Sequence, residues 1–153
     1  MLDLFESEIP VLGPLKSRDI LRGVCRHLVN LNYSPLTEFK LSSKRRVDVI
    51  GLNKLGQFII VEIKSSVSDF RGDKKWREYW PFADEMYFAV ANGFPIDLLP
   101  NDCGIIIADA YNATTLQPSP INKMNGIRRK SQTVRFAKTA AKRLHRLRDP
   151  SLR

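Results

Sequence analysis

The segment from Arg46 to Lys64 constrains this chain most, because it sets three charges into two strands that are otherwise apolar. Residues 47–52 (Val-Asp-Val-Ile-Gly-Leu) and 57–63 (Gln-Phe-Ile-Ile-Val-Glu-Ile) are rich in β-branched and apolar side chains. Asn53-Lys54-Leu55-Gly56 between them has turn chemistry, so the segment reads as a β-hairpin. A hairpin symmetric about Leu55 places Asp48 opposite Glu62, Ile50 opposite Ile60 and Leu52 opposite Phe58. Ile50, Leu52, Phe58 and Ile60 then share one face, and Val47, Val49, Ile59, Val61 and Ile63 the other. Both faces are apolar, as expected of a strand pair buried inside a sheet. Asp48, Glu62 and Lys64 gather at one end, in a register that a slip of one residue would destroy.

Opposed carboxylates about 5 Å apart repel by roughly 3 kcal/mol at an effective dielectric of 20. A chain that keeps such a pair needs something to neutralise it. Lys64 does so in part. A hard divalent cation does so better, since Mg²⁺ is held by one or two carboxylates together with waters and phosphate oxygens. A lysine two residues further on suits an attacking water or the charge developing on a phosphate. Two carboxylates and a lysine around a metal form a phosphodiester-cleaving site.

Asp48 followed by Glu62-Ile63-Lys64 resembles the Asp…Glu-x-Lys signature of the PD-(D/E)XK, or restriction-endonuclease-like, nucleases, with Val47 where that signature usually has Pro. The continuation Ser65-Ser66, Asp69-Phe70-Arg71 and Asp73-Lys74-Lys75-Trp76 is similar to one branch, the MmcB-like DNA-repair endonucleases of bacteria. So are residues 104–110 and Val134-Arg135-Phe136-Ala137. The resemblance covers residues 19–150. It implies an α/β fold, a single restriction-endonuclease-like domain with a mixed sheet flanked by helices. It also implies Asp48, Glu62 and Lys64 as catalytic residues. Mg²⁺ or Mn²⁺ would sit on Asp48, Glu62 and the carbonyl of Ile63. Glu38, Asp69, Asp73, Lys75 and Trp76 are accessory candidates. DNA is the implied partner, with a second copy of the chain and a repair protein as further candidates.

At 153 residues the chain fits one domain with a sizeable core. No apolar run is long enough to span a bilayer. The acidic opening, Met1 to Glu8, is unlike a signal peptide. Two cysteines, Cys25 and Cys103, give no disulfide framework, which together indicates a reducing cytoplasm. The net charge of +9 is unevenly spread: residues 123–153 hold eleven Lys/Arg and one acid, Asp149. The rest is near neutral, so the tail carries the signal for a polyanion partner.

The expected order is α-β-β-β-α-β-β-α, after an N-terminal arm over 1–16. A first helix over 17–33 carries Ile20, Val24, Leu28 and Leu31 on one face and Arg18, Arg22 and Arg26 on another. A strand over 35–41 contains Glu38, which reads equally as an accessory acid or an exposed strand residue. Arg46 lies where a phosphate backbone would pass. A helix from Ser65 toward Trp80 carries Lys74. Trp76 and Trp80 on it read first as core, with base stacking as the alternative. Strands over 85–91 and 104–110 follow, then a short edge strand over 114–117, with Asp109 as a turn former.

The last helix, 131–148, separates Val134, Ala137, Ala140, Ala141, Leu144 and Leu147 from Arg135, Lys138, Lys142 and Arg146. The apolar side is expected to pack on the sheet and the basic side to face nucleic acid; small alanines in place of Trp or Phe argue against a membrane surface. The first three strands should be antiparallel, and those flanking the crossover parallel. The leading function is metal-dependent DNA cleavage in repair. A non-cleaving nucleic-acid-binding module is its rival. A structural protein in which Lys64 salt-bridges Asp48 and Glu62 is the third reading.

Overall fold

The computed structural model describes residues 17–150; the arm expected over 1–16 lies outside them. Helix α1 (Ser17–Asn30) precedes strands β1 (Ser34–Lys40), β2 (Arg46–Leu52) and β3 (Phe58–Lys64). Next come a short helix α2 (Val67–Gly72), a 3₁₀ segment (Trp76–Phe82) and β4 (Glu85–Val90). A second 3₁₀ turn (Ile96–Leu98), β5 (Gly104–Ala108), β6 (Ala113–Gln117) and the long helix α3 (Gly126–Arg148) complete the chain. The six strands form one mixed sheet in sequence order. β1, β2 and β3 are mutually antiparallel, β3–β4 and β4–β5 are parallel, and β6 returns antiparallel.

The central hairpin has the symmetric register, with Val49 opposite Val61, Ile50 opposite Ile60 and Leu52 opposite Phe58. Asn53 sets it. Its side-chain oxygen accepts the N–H groups of Leu55 and Gln57, while Gly56 takes the left-handed φ of 77° that the turn requires. Every residue of β3 is buried, because the sheet is covered on both sides. On one side α1 lays Ile20, Val24 and Leu28 against Val49, Ile59, Val61 and Tyr87. On the other, Phe136 of α3 and the 3₁₀ segment cover Phe39, Val47, Ile50, Phe58, Ile60 and Phe88.

Four local expectations are corrected. Val47 shares its face with Ile50, not with Val49, so the pleat of β2 breaks at Asp48. The helix after Lys64 does not run on to Trp80. Gly72 ends it, Asp73 turns to extended backbone at φ −92°, ψ 110°, and a 3₁₀ segment containing Pro81 follows. The last helix begins at Gly126 rather than 131, since the Asn125 side chain caps it by accepting the Ile127 and Arg128 N–H groups.

The last correction concerns the packing face of α3. It is Gln132, Phe136 and Arg143 that meet the protein, while Val134, Leu144 and Leu147 are exposed. Polar anchors decided the rotation. Arg129 forks onto Asp84 at 2.6 and 2.8 Å and reaches the Gly56 carbonyl, and the Gln132 amide donates to the Phe82 carbonyl.

α1 is set by a close approach. A Cβ on Gly23 would lie 1.9 Å from the Asp109 carbonyl oxygen and 2.8 Å from that of Asn112. That turn is fixed by the Asp109 carboxylate, which accepts the Tyr111 and Asn112 N–H groups. Gly23→Ala should therefore lower the thermal midpoint by the equivalent of about 2 kcal/mol, although Ala is the better helix former. A midpoint at or above that of the wild type would show that α1 and the turn separate cheaply.

Candidate active site

Asp48 and Glu62 stand where β2 and β3 stop pairing as a regular ladder. Beyond Val49 and Val61 their carboxylates replace backbone partners: Glu62 Oε1 accepts the Asp48 N–H at 2.9 Å, and Asp48 Oδ2 accepts the Ile63 N–H at 2.8 Å. Each acid thus closes the other strand's loose donor and is fixed by doing so. One oxygen of each is used. The other two, Asp48 Oδ1 and Glu62 Oε2, belong to side chains lining a cavity of about 400 Å³. Ser17, Arg18 and Leu21 at the start of α1 close it on one side, and Glu38, Ile63, Lys64 and Asp69 line it too.

The electrostatics follow from burial. Glu62 is 5% exposed. Desolvation, then the charge of Asp48, pushes its carboxyl up to about 8. Asp48 is raised as well, by burial first, with Glu38 and Asp69 adding to it, against the pull of the Ile63 N–H and Lys64. Desolvation followed by the neighbouring Glu62, Asp73 and Asp48 charges carries the Tyr79 phenol up to about 12.

Lys64 is 6% exposed, and its ammonium pairs with Asp73 Oδ2 at 2.7 Å. It does not salt-bridge Asp48 or Glu62, so the purely structural reading in which it does is corrected. Burial alone would raise the Asp73 carboxyl; the Lys64 ammonium and the N–H groups of Lys75 and Trp76 hold it below its ordinary range. The break after Gly72 is what lets Asp73 reach Lys64.

The remaining sequence candidates divide. Asp69 lines the cavity while its carboxylate accepts the Ser65 N–H and its own N–H goes to Ser66 Oγ. Glu38 lines the cavity, pairs with Arg46 at 3.3 Å and sits at a left-handed φ of 50°. Trp76 is packed in the core against Phe88 and Trp80, Arg77 lies over its ring, and at 6% exposure the ring is not offered to a base. Lys74 and Lys75 are exposed beside the site. Arg135, Lys138, Lys142 and Arg146 form an exposed row along α3.

Sequence reading had no means to find Tyr79 beside the acids. It placed Arg18 in an arginine row without seeing that α1 begins at the cavity.

Among the described residues no group of three His, Cys, Asp or Glu converges on a metal position. The lining of the cavity offers carboxylate oxygens rather than thiols or imidazoles. Asp48 and Glu62, two carboxylates lining one cavity and both resisting ionisation, are donors of the type that a hard cation such as Mg²⁺ takes together with water and phosphate oxygens.

Comparison with known proteins agrees with this architecture. The sequence profile of the family described as DNA repair protein MmcB-like matches residues 14–151, and the chain belongs to that family. A protein of unknown function from Silicibacter pomeroyi has a solved structure that matches with a TM-score of 0.86 and 40% identity, over 94% of this chain and 97% of that one. No curated protein matches. No helix among the described residues is long and apolar enough to cross a membrane.

The raised carboxyl fixes a pH dependence. Glu62 has its pKa raised from an ordinary 4.5 to about 8, so between those values the folded protein holds a proton that the unfolded chain has lost. Stability of the metal-free protein should then fall as pH rises through this window. Glu62→Gln, which keeps an oxygen for the Asp48 N–H, should flatten that fall and unfold at a higher temperature than wild type above pH 8. Thermal unfolding across pH checks both; parallel curves for the two proteins would mean that Glu62 is not the group responsible.

Proposed function

We propose that this protein is a divalent-metal-dependent DNA endonuclease of the restriction-endonuclease-like kind, acting in DNA repair. The observation that carries the reading is the buried Glu62 beside the half-buried Asp48 where the β2–β3 ladder stops, both lining one cavity, with a buried lysine two residues on. Membership of a DNA-repair family supports DNA as the substrate.

Asp48, Glu62 and the Ile63 carbonyl are the groups that would hold Mg²⁺ or Mn²⁺. When bound, such a cation supplies charge neutralisation at the scissile phosphate and an acidified water. The protein's own contribution is positional. The strand ends fix both carboxylates through their N–H contacts. Lys64 brings a positive charge into a dry site, and Asp73 holds it in one place, so that it can orient the attacking water or meet the charge on a phosphate oxygen.

Affinity would come from the exposed row on α3. Arg128 and Arg135 line a second cavity of about 400 Å³ together with Ser42 of the β1–β2 loop, and Arg135, Lys138 and Lys142 line a third of about 300 Å³. The same loop leads into Arg46, which pairs with Glu38 at the cavity of the two acids. Contacts of this kind grip the phosphate backbone without reading sequence.

Cleavage of a labelled panel of single-stranded, duplex, flap, mismatched and junction DNA, with Mg²⁺ or Mn²⁺, is the deciding experiment. Asp48→Asn, Glu62→Gln and Lys64→Met should each lower cutting of the best substrate by about 100-fold or more while leaving the fold intact. Binding without cutting by wild type, indifferent to these changes, would mean instead a non-cleaving module on this fold. Separately, Lys138→Ala with Lys142→Ala should weaken binding to all sequences alike and reduce the slope of log affinity against log salt by about 2; an unchanged slope would move the DNA elsewhere.

A further inference from the structure

β1 contains one residue that a strand should not hold. Glu38 has φ 50°, a left-handed conformation disfavoured for a side chain of its kind. The ladder between β1 and β2 is regular on both sides of it, with Thr37 opposite Val49 and Phe39 opposite Val47. The irregularity is therefore confined to Glu38 and the residue facing it, Asp48. Its effect on the pleat is visible in both strands. Leu36 and Phe39, three apart, pack on the same core face, and so do Val47 and Ile50.

What holds this conformation is Arg143, from a helix more than a hundred residues away in sequence. Its guanidinium donates to two successive carbonyls, Thr37 at 2.5 Å and Glu38 at 2.9 Å. In a regular strand successive carbonyls point to opposite edges, and one planar fork cannot take both. The left-handed turn at Glu38 brings them to the same side, and the fork matches that arrangement. On its other side Glu38 presents its carboxylate to Arg46 and to the cavity of Asp48 and Glu62.

We propose that Arg143 is a positioning residue for the candidate metal site: by clamping the backbone at Thr37 and Glu38 it holds the Glu38 carboxylate at the rim of the cavity, not as a ligand but as a negative charge that adds to the pull of Asp48 and Glu62 on a cation. This rests on the reading of Asp48 and Glu62 as cation ligands. Arg143 touches neither acid nor substrate and acts through Glu38. Lysine in its place would keep one donor and cannot span both carbonyls.

The test is Mn²⁺ binding, followed by the EPR signal of the free ion, for wild type, Glu38→Gln, Arg143→Met and the double variant. All are measured well below their thermal midpoints. Each single change should weaken Mn²⁺ binding by about 10-fold, the scale of a support behind a ligand, and the double variant should bind no more weakly than either single one. Should Arg143→Met not fold, Arg143→Lys is read in the same way, and Glu38→Gln alone must still weaken binding.

Unchanged binding in Glu38→Gln overturns the proposal. So does an Arg143 variant that lowers the midpoint but leaves Mn²⁺ affinity intact, or a double variant whose losses multiply. A folded wild type that takes up no Mn²⁺ overturns the cation reading itself and this inference with it.

Discussion

The repulsion between two carboxylates in a dry sheet is the constraint around which the rest is arranged. It is tolerated because each acid has a structural duty: Glu62 and Asp48 accept the N–H groups left open where β2 and β3 part. Removing either side chain outright would leave a part-buried N–H without its partner, at a cost of about 1 kcal/mol. The geometry thus opposes loss of the acids, and their charge opposes keeping them. A cation bound between them would relieve the second without disturbing the first. The break after Gly72 and the Lys64–Asp73 pair serve the same end, supplying positive charge whose own counterion is held to one side.

Much of this was legible from the chain. Periodicity of two with a turn at Asn53–Gly56 was enough for the hairpin and its register from Val49–Val61 to Leu52–Phe58, because side-chain alternation leaves little freedom once both faces are apolar. It did not show that the ladder stops before Asp48 and Glu62, where the pleat of β2 breaks. Strand directions followed from connection lengths, and the Asp109 turn from local chemistry.

Apart from the local Asn125 cap that starts the last helix early, the failures share one cause. The face of α3 was assigned from hydrophobic periodicity, but Arg129, Gln132 and Arg143 bind carbonyls and a carboxylate that are distant in sequence and near only in the fold. The break at Asp73 was invisible for the same reason, since its partner is the buried Lys64. Glu38 showed no signal at all: nothing in Leu-Thr-Glu-Phe announces a left-handed residue, and the group that stabilises it lies more than a hundred positions away. Contacts between side chains and backbone carbonyls carry no sequence pattern, so a reading built on apolar spacing passes over them.

The same kink has a consequence for how copies of this protein can associate. β1 is an edge strand, and an open edge invites a neighbouring chain to extend the sheet. Here Pro35 lacks an N–H, Glu38 turns out of the extended conformation, and two carbonyls are already occupied by Arg143. The opposite edge, β6, is five residues long and runs into Pro118 and Pro120. Neither border offers a straight ladder for strand addition. Both borders therefore oppose extension of the sheet by another chain, the route by which exposed edges grow into fibres.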